Sequence, residues 1–471
     1  MLNSIICSDM WQGVIFNMFR NKTATSTEMD MCSGPLFSKI IIFSIPVILT
    51  GVLQMLYNAA DQAVVGRFAG SDALAAVGST SSLFNLLVCT VTGLATGTST
   101  IVSRFYGAQD HKSVSRAVHT SMVLSVISSV IIGIFGFIFA KNLLVLMGTD
   151  KEVLSEAALY MRILFIGLPF LGIFNFGTAI LRAVGDSKRP LYFLPISGIT
   201  NVILNLLFVI VFKMRADGVA LATVISQVVS AVLCVLCLIK ADGCYKLCLK
   251  KLRLHKKEAR LVIGIGIPAA IQSSMFSISN VILQSSVNSL GKAAVSGTAA
   301  AATIENTIYQ VMHGLYLATI SFCSQNFGAK NYKRLLKAML YCYGIVTVLG
   351  ILIGGICYIF RGGLIGIFIN DNPCAYSEGL KRMMYTCPLY FICGAMEVGG
   401  GALRSINRPI HSMINSVIGA CIFRIFWVYT VFAASPSLDT LYLSYPISWT
   451  LTAVLHIAFF IFFFAKLKKE A

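Results

Sequence analysis

Twelve long runs with almost no charge alternate with short polar segments along this chain. They cover residues 40–60, 73–103, 117–140, 163–181, 191–212, 218–239, 261–291, 293–325, 338–360, 383–403, 409–433 and 440–465. A helix needs about 20 apolar residues to cross a bilayer, and each run approaches or exceeds that length. The longest ones tilt or extend beyond the hydrocarbon. Strands are far shorter, and lipid admits only helices or closed barrels. The pattern predicts an all-α membrane protein with twelve transmembrane helices.

Composition agrees. Of 471 residues, 57% are hydrophobic and 12% charged, against about 25% charged in soluble domains. The net charge of +18 raises the question of nucleic acid, and its placement answers it. With the N-terminus inside, 26 of the 37 Lys and Arg fall on inner segments and 10 on outer loops, with Arg424 inside a span. That bias sets orientation. The chain is expected to be multi-pass in a bacterial inner (plasma) membrane, with both termini cytoplasmic, lipid as its surroundings and no nucleic-acid partner.

The largest basic cluster, "KADGCYKLCLKKLRLHKKEAR" (240–260), falls between spans six and seven. It divides the chain into a leader (1–36, with Met29 or Met31 as alternative starts), a first six-helix bundle (37–240), a basic linker (241–260), a second six-helix bundle (261–466) and a tail (467–471). The halves resemble one another. "LFNLLVCTVTGLATGTSTIVSRFYGAQ" (83–109) matches "TIENTIYQVMHGLYLATISFCSQNFGAK" (303–330) at an offset of 221, and "LRAVGDSKRP" recurs as "LRSINRP" (403–409). Six spans per half give the halves one orientation. They are parallel repeats, a transporter design with its substrate site between them.

Four ionised residues interrupt or border the runs: Asp61, Glu305, Glu397 and Arg424. A carboxylate in lipid costs roughly 2.5–3.5 kcal/mol on insertion scales, so each is a functional candidate; snorkelling or internal ion pairing is the structural alternative. Asp61 stands six residues before Arg67, about 9 Å below the outer surface at 1.5 Å per residue. Asn205 and Thr223 reach the same depth, and Asn201 lies one turn deeper on the face of Asn205. One carboxylate, two amides and a hydroxyl offer oxygens that suit Na⁺, while a desolvated carboxylate would carry H⁺. Alternatively, the Asn and Thr side chains only bond helices together. In the second half Glu305, Glu397 and Arg424 fall near the midplane, which suggests an Arg flanked by two carboxylates: either a structural ion pair or an anionic cavity patch that attracts cationic substrates. His313 and His411 read as satisfied helix residues. Gly93, Gly97 and Gly399–Gly401 read as close helix packing. Pro46 and Pro268 interrupt spans one and seven, and a bend at Pro46 would move Asp61 relative to span five.

Cys234 and Cys237 form a CxxC inside an uncharged stretch, where cysteines act as small hydrophobes. No GxxxxGK[ST], HExxH or GxSxG occurs, so neither ATP hydrolysis nor another familiar catalysis is indicated. The protein is not expected to be an enzyme.

The stretches "IPVILTGVLQMLYNAADQAVVGRFAG", "ALAAVGSTSSLFNLL", "STIVSRFYGAQ", "ILRAVGDSKRP", "NVILNLLFV", "GVALATVISQ" and "GALRSINRP" together resemble the multidrug and toxic compound extrusion (MATE) family over residues 35–465. The resemblance implies two six-helix bundles around a central cavity. It implies export of cationic, amphipathic compounds in exchange for Na⁺ or H⁺, with no cofactor beyond that ion. Asp61 matches the family's first-helix aspartate, and Asn201 and Thr223 match cation-site positions of its fifth and sixth helices. Asn205 falls where many members carry aspartate. The seventh-helix acid of some members has no counterpart, since 261–291 is uncharged, and Glu397 lies near the tenth-helix acid of that subgroup. A monomer is expected. The rival reading is a lipid or lipid-linked oligosaccharide flippase, whose diphosphate substrate would want several cavity Arg or Lys, where the runs offer Arg424.

Overall fold

The computed structural model describes residues 28–66, 71–150, 152–369 and 372–470. Arg67, which gauges the depth of Asp61, and the leader up to residue 27 lie outside them. Each uncharged run falls on one helical unit: α1 (Leu36–Val64), α2 (Ser71–Gly107), α3 (His111–Leu146), α4 (Leu154–Ala183), α5 (Lys188–Leu206, extended by a π turn, Leu207–Val211), α6 (Ala216–Lys240), α7 (Lys256–Asn288), α8 (Lys292–Gly328), α9 (Tyr332–Ile359), α10 (Pro373–Thr386 and Tyr390–Ser405 around a 3-10 turn), α11 (Pro409–Ser416 to the π turn Val428–Phe432) and α12 (Leu438–Glu470). No strand occurs among the described residues. Ten of these units are long and apolar enough to cross a membrane. The other two, α8 and α10, are rich in small and polar residues because they are packed inside, with Thr319, Ser321, Ser324, Asn326 and Thr386 buried. The outer faces of α3 and α9 are the reverse, with Ile131 62% and Ile351 51% exposed, as lipid contact requires.

The repeat is repeated in backbone detail. Helix α2 ends through Gln109 at φ 56° and α8 through Lys330 at φ 54°, 221 residues on. Asp110 then caps α3 by accepting from Ser113 N at 3.0 Å, and Asn331 caps α9 by accepting from Arg334 N at 3.1 Å. Such caps satisfy the orphan N–H groups of a first turn. The π turns Leu207–Val211 and Val428–Phe432 stand at the same offset.

The bundles exchange part of their first helices. The inner half of α1 (Leu36, Ile40, Phe43, Val47) is buried in the core of the second bundle with Ile308, Met312 and Phe322. Reciprocally, Val262 and Ile265 of α7 are buried with Ile101, Val118 and Leu181 of the first. The outer half of α1 packs on α5 and α6, where Tyr57 bonds Ser226 at 2.7 Å. Thus α1 straddles both bundles instead of belonging to the first alone, with Pro46 inside its inner half.

At the end where α1 begins and α12 finishes, the bundles are sealed. A Cβ on Gly107 would lie 2.0 Å from the Gln325 carbonyl oxygen, and one on Gly328 would lie 1.9 Å from that of Arg104. Arg104 and Gln325 are repeat-equivalent, so the contact is reciprocal, and only glycine permits it. Arg104 also donates to Asn407 Oδ1 (3.3 Å), and Gln325 to the Ala183 carbonyl (2.7 Å). The described end of the leader, from residue 28, crosses this seal. Glu28 accepts from Tyr106 of α2 (2.7 Å), and the buried Met31 offers its carbonyl to Asn326 and Arg334 of the second bundle, both 3.1 Å. Residues 28–31 therefore strap the two halves together. Inter-bundle contact continues outward through Thr90–Ser274 and Thr307–Met55. Beyond it Asn58, Asn85 and Asn306 are exposed. Amides turned to lipid are costly, so they line a gap open at the opposite end.

Candidate functional site

Asp61 stands on the outer half of α1, half-buried, facing α5 and α6. The i, i+4 spacing of Asn201 and Asn205 turns both amides to it from α5, and both are fully buried. Asn205 Nδ2 donates to Asp61 Oδ1 and, at 3.0 Å, to Asn201 Oδ1. Thr223 Oγ1 stands 3.3 Å from Asp61 Oδ2, 2.9 Å from the Val219 carbonyl and 3.5 Å from Asn201 Nδ2. The four residues expected from the sequence therefore come together. Asp61 faces neither hydrocarbon nor a fixed base: its partners are neutral, and no Lys or Arg pairs with it among the described residues. Asn205 spends its amide N–H groups on two acceptors, and its own Oδ1 is buried without a partner. The nest is rich in oxygen acceptors and short of positive charge.

The second-half trio differs from expectation. Glu305, Glu397 and Arg424 all act electrostatically on Cys393, but Arg424 is not flanked by the two acids. Glu305 is held by a bidentate Arg382 (3.0 and 2.8 Å) and by Thr386 (2.7 Å). Arg424 donates to Ser448 (2.9 Å) and Asn280 (3.5 Å), and lies 4.6 Å from the Tyr445 ring centroid. Arg382 closes the charged stretch before run ten, so the sequence reading placed it in an outer loop; the chain folds it inside, where a long side chain reaches the acid across α10 and α8. Glu305 is thereby neutralised, and Glu397 remains the carboxylate without a hydrogen-bond partner among the described residues. Because a buried ion is costly without its partner, Glu305→Gln, which leaves Arg382 unpaired, is expected to cost about 3–5 kcal/mol. Thermal unfolding in detergent measures it, and adding Arg382→Gln should recover part of the loss.

Two further arginines were missed. Runs four and ten end at 181 and 403, one residue before Arg182 and Arg404, which assigns both to inner loops. Arg404 is buried, bonded to Tyr316 and, at 2.6 Å, to Gln272. The available signal was the repeat, which aligns them as "LR" in both halves. His313 is not satisfied as expected, since its Nδ1 is buried without a partner, whereas His411 packs 4.5 Å from the Phe463 ring. The glycine expectation holds in detail: Gly93 and Gly97 let α2 approach the α7 backbone at Ala270 and Val262. Cys234 and Cys237 are free and buried.

Two duplicated helical bundles, sealed at one end and parted at the other, with an isolated acid in a cation-compatible nest, define a membrane transporter rather than an enzyme. The MatE family model matches residues 46–207 and again 268–430. This chain belongs to the MATE family. It is similar to the probable multidrug resistance proteins YoeA and YpnP of Bacillus subtilis (strain 168), at 27% identity over 80% of this chain and 82% of YoeA, and 29% over 85% and 88% of YpnP. Its fold matches a solved structure described as the outward-facing conformation of a multidrug resistance MATE family transporter of the MOP superfamily. The TM-score is 0.87 and the identity 22%, over 95% of this chain and 100% of that one.

Proposed function

We propose that this chain is an ion-coupled exporter of amphipathic organic compounds, monomeric, with its sealed end and both termini in the cytoplasm of a bacterial inner membrane. The observation that carries this reading is the Asp61 nest: a carboxylate held by neutral donors, beside an unpaired amide oxygen. Na⁺ or H⁺ supplies the missing positive charge. For Na⁺, rotation of the Asn205 amide exchanges its donor for its oxygen and adds a ligand; for H⁺, the carboxyl itself takes the proton.

Coupling follows from α1. Its outer half carries Asp61 against the first bundle, while its inner half is embedded in the second. A cation that tightens the α1–α5–α6 nest biases the angle between bundles, and a substrate in the gap biases it the other way. Each ligand shifts one shared equilibrium by its differential affinity. Glu397 offers one carboxylate for a cationic group, in agreement with the cationic compounds the MATE resemblance implies.

Reconstituted protein is expected to drive a fluorescent organic cation against its gradient when ΔpH or ΔNa⁺ is imposed separately. Whichever gradient works names the ion. Absence of flux under both removes the proposal.

A further inference from the structure

The gap between the bundles has a basic floor. Arg182 and Arg404 end α4 and α10 at repeat-equivalent positions, and both guanidinium groups lie within electrostatic reach of the His313 ring. That ring is fixed between Tyr309 and Tyr316, with centroids 5.8 and 5.1 Å away. The set stands directly on the seal. Ala183, next to Arg182, accepts from Ser103 and Gln325, and Ser405, next to Arg404, accepts from Arg104. Arg182, His313 and Glu397 each keep partial exposure.

Charge and hydrogen bonding are both left open there. Arg182 has neither an ion pair nor a hydrogen bond among the described residues. Arg404 bonds only the neutral Tyr316 hydroxyl and Gln272 carbonyl. Glu397, seven residues before Arg404 and about 10 Å along the helix axis, acts on it without a hydrogen bond. One carboxylate against two guanidiniums leaves a positive excess. The Nε atoms of Arg182 and Arg404 and Nδ1 of His313 are all buried without a partner. Buried donors without acceptors carry an uncompensated desolvation cost, and paired guanidinium forks match the oxygens of a phosphate or carboxylate. Elsewhere in the second half, Arg382 is neutralised by Glu305, and Arg424 spends its donors on Ser448 and Asn280, with no unpartnered buried nitrogen among the described residues.

The geometry points to Arg182, Arg404 and His313 as a binding site for an anionic group, phosphate or carboxylate, of the transported compound. Only the word "transported" rests on the exporter reading above; the site itself does not. With Glu397 on the same helix as Arg404, a zwitterion would be held at both poles.

The test is equilibrium binding of radiolabelled pyrophosphate and, separately, benzoate to purified full-length protein in detergent. Saturable binding of at least one probe, near one per chain, is expected, and the arm that binds identifies the acid. Arg182→Gln and Arg404→Gln are each expected to weaken it about tenfold or more. Arg182→Lys, which keeps the charge, and Arg361→Gln, which lies on Tyr358 away from the floor, are expected to stay within about threefold. Arg182 makes no hydrogen bond whose loss would unfold the chain, so its variant decides the matter if Arg404→Gln fails to give a monodisperse protein. No saturable binding of either probe, or binding that Arg182→Gln leaves within about twofold, overturns the assignment. Cation efflux measured on the same preparations separates the readings: lost efflux with intact anion binding damages only the exporter proposal, and the converse damages only this one.

Discussion

Asp61→Asn is expected to abolish ion-driven export while the protein still reaches the membrane. The amide is isosteric and still accepts from Thr223, and a flip of the Asn205 amide presents its unpartnered Oδ1 to the new Nδ2–H, so the nest keeps its shape. What it loses is the charge that binds a cation and the group that carries a proton. A loss of ~3 kcal/mol in cation binding is about 100-fold, which places efflux at the level of empty liposomes. Stability should move the other way. Removing a lone intramembrane carboxylate relieves roughly 2.5–3.5 kcal/mol of insertion cost, so unfolding temperature should hold or rise. Transport that fails in a more stable protein separates function from folding, and undiminished efflux would remove Asp61 from the mechanism.

Gly107→Val and Gly328→Val are expected to break the seal. Their Cβ atoms would enter the backbone of Gln325 and Arg104 at 2.0 and 1.9 Å, below any attainable contact, so the helix ends must part. Overpacking costs about 1–3 kcal/mol, enough to shift a two-state equilibrium roughly five- to hundredfold away from the closed end. Ser103 is fully buried behind the seal. A cysteine placed there should resist an impermeant maleimide in the parent protein and react in either glycine variant, scored as labelling gained over the protein without it. Efflux should fall about tenfold or more. Gly264→Ala, which meets nothing within 4 Å, is the control and should change neither. Equal labelling with and without the valine would show that the seal is not the inner gate.

Much of the candidate site was legible because membrane helices constrain depth. Counting residues from the nearest charge put Asp61, Asn205 and Thr223 at one level, and i, i+4 spacing put Asn201 on the same face. The second half resisted the same method. There, as at Arg182 in the first half, the relevant side chains are arginines, one in a last turn (Arg404) and one within the first segment of α10 (Arg382), and a rule that stops each span at its first charge assigns them to loops. Arg182, Arg382 and Arg404 are long enough to reach back into the bundle, so sequence position fixed where their Cα atoms lie but not where their charges do. The exchange of α1 was also invisible, since an apolar helix face does not say which of two apolar bundles covers it.

The chain by itself determined an all-helical membrane transporter, its duplication, its family and the acid in its first helix. These follow from lipid, which forbids unpaired backbone and unexplained charge, and leaves a periodic, nearly uncharged pattern in the residues. Tertiary structure alone decided which charges are neutralised, that Arg382 and not Arg424 answers Glu305, that α1 ties Asp61 to the opposite bundle, and that two arginines share one floor. Each of these depends on distances of a few ångströms between residues far apart in sequence, and electrostatic interaction in a low dielectric is decided at that scale.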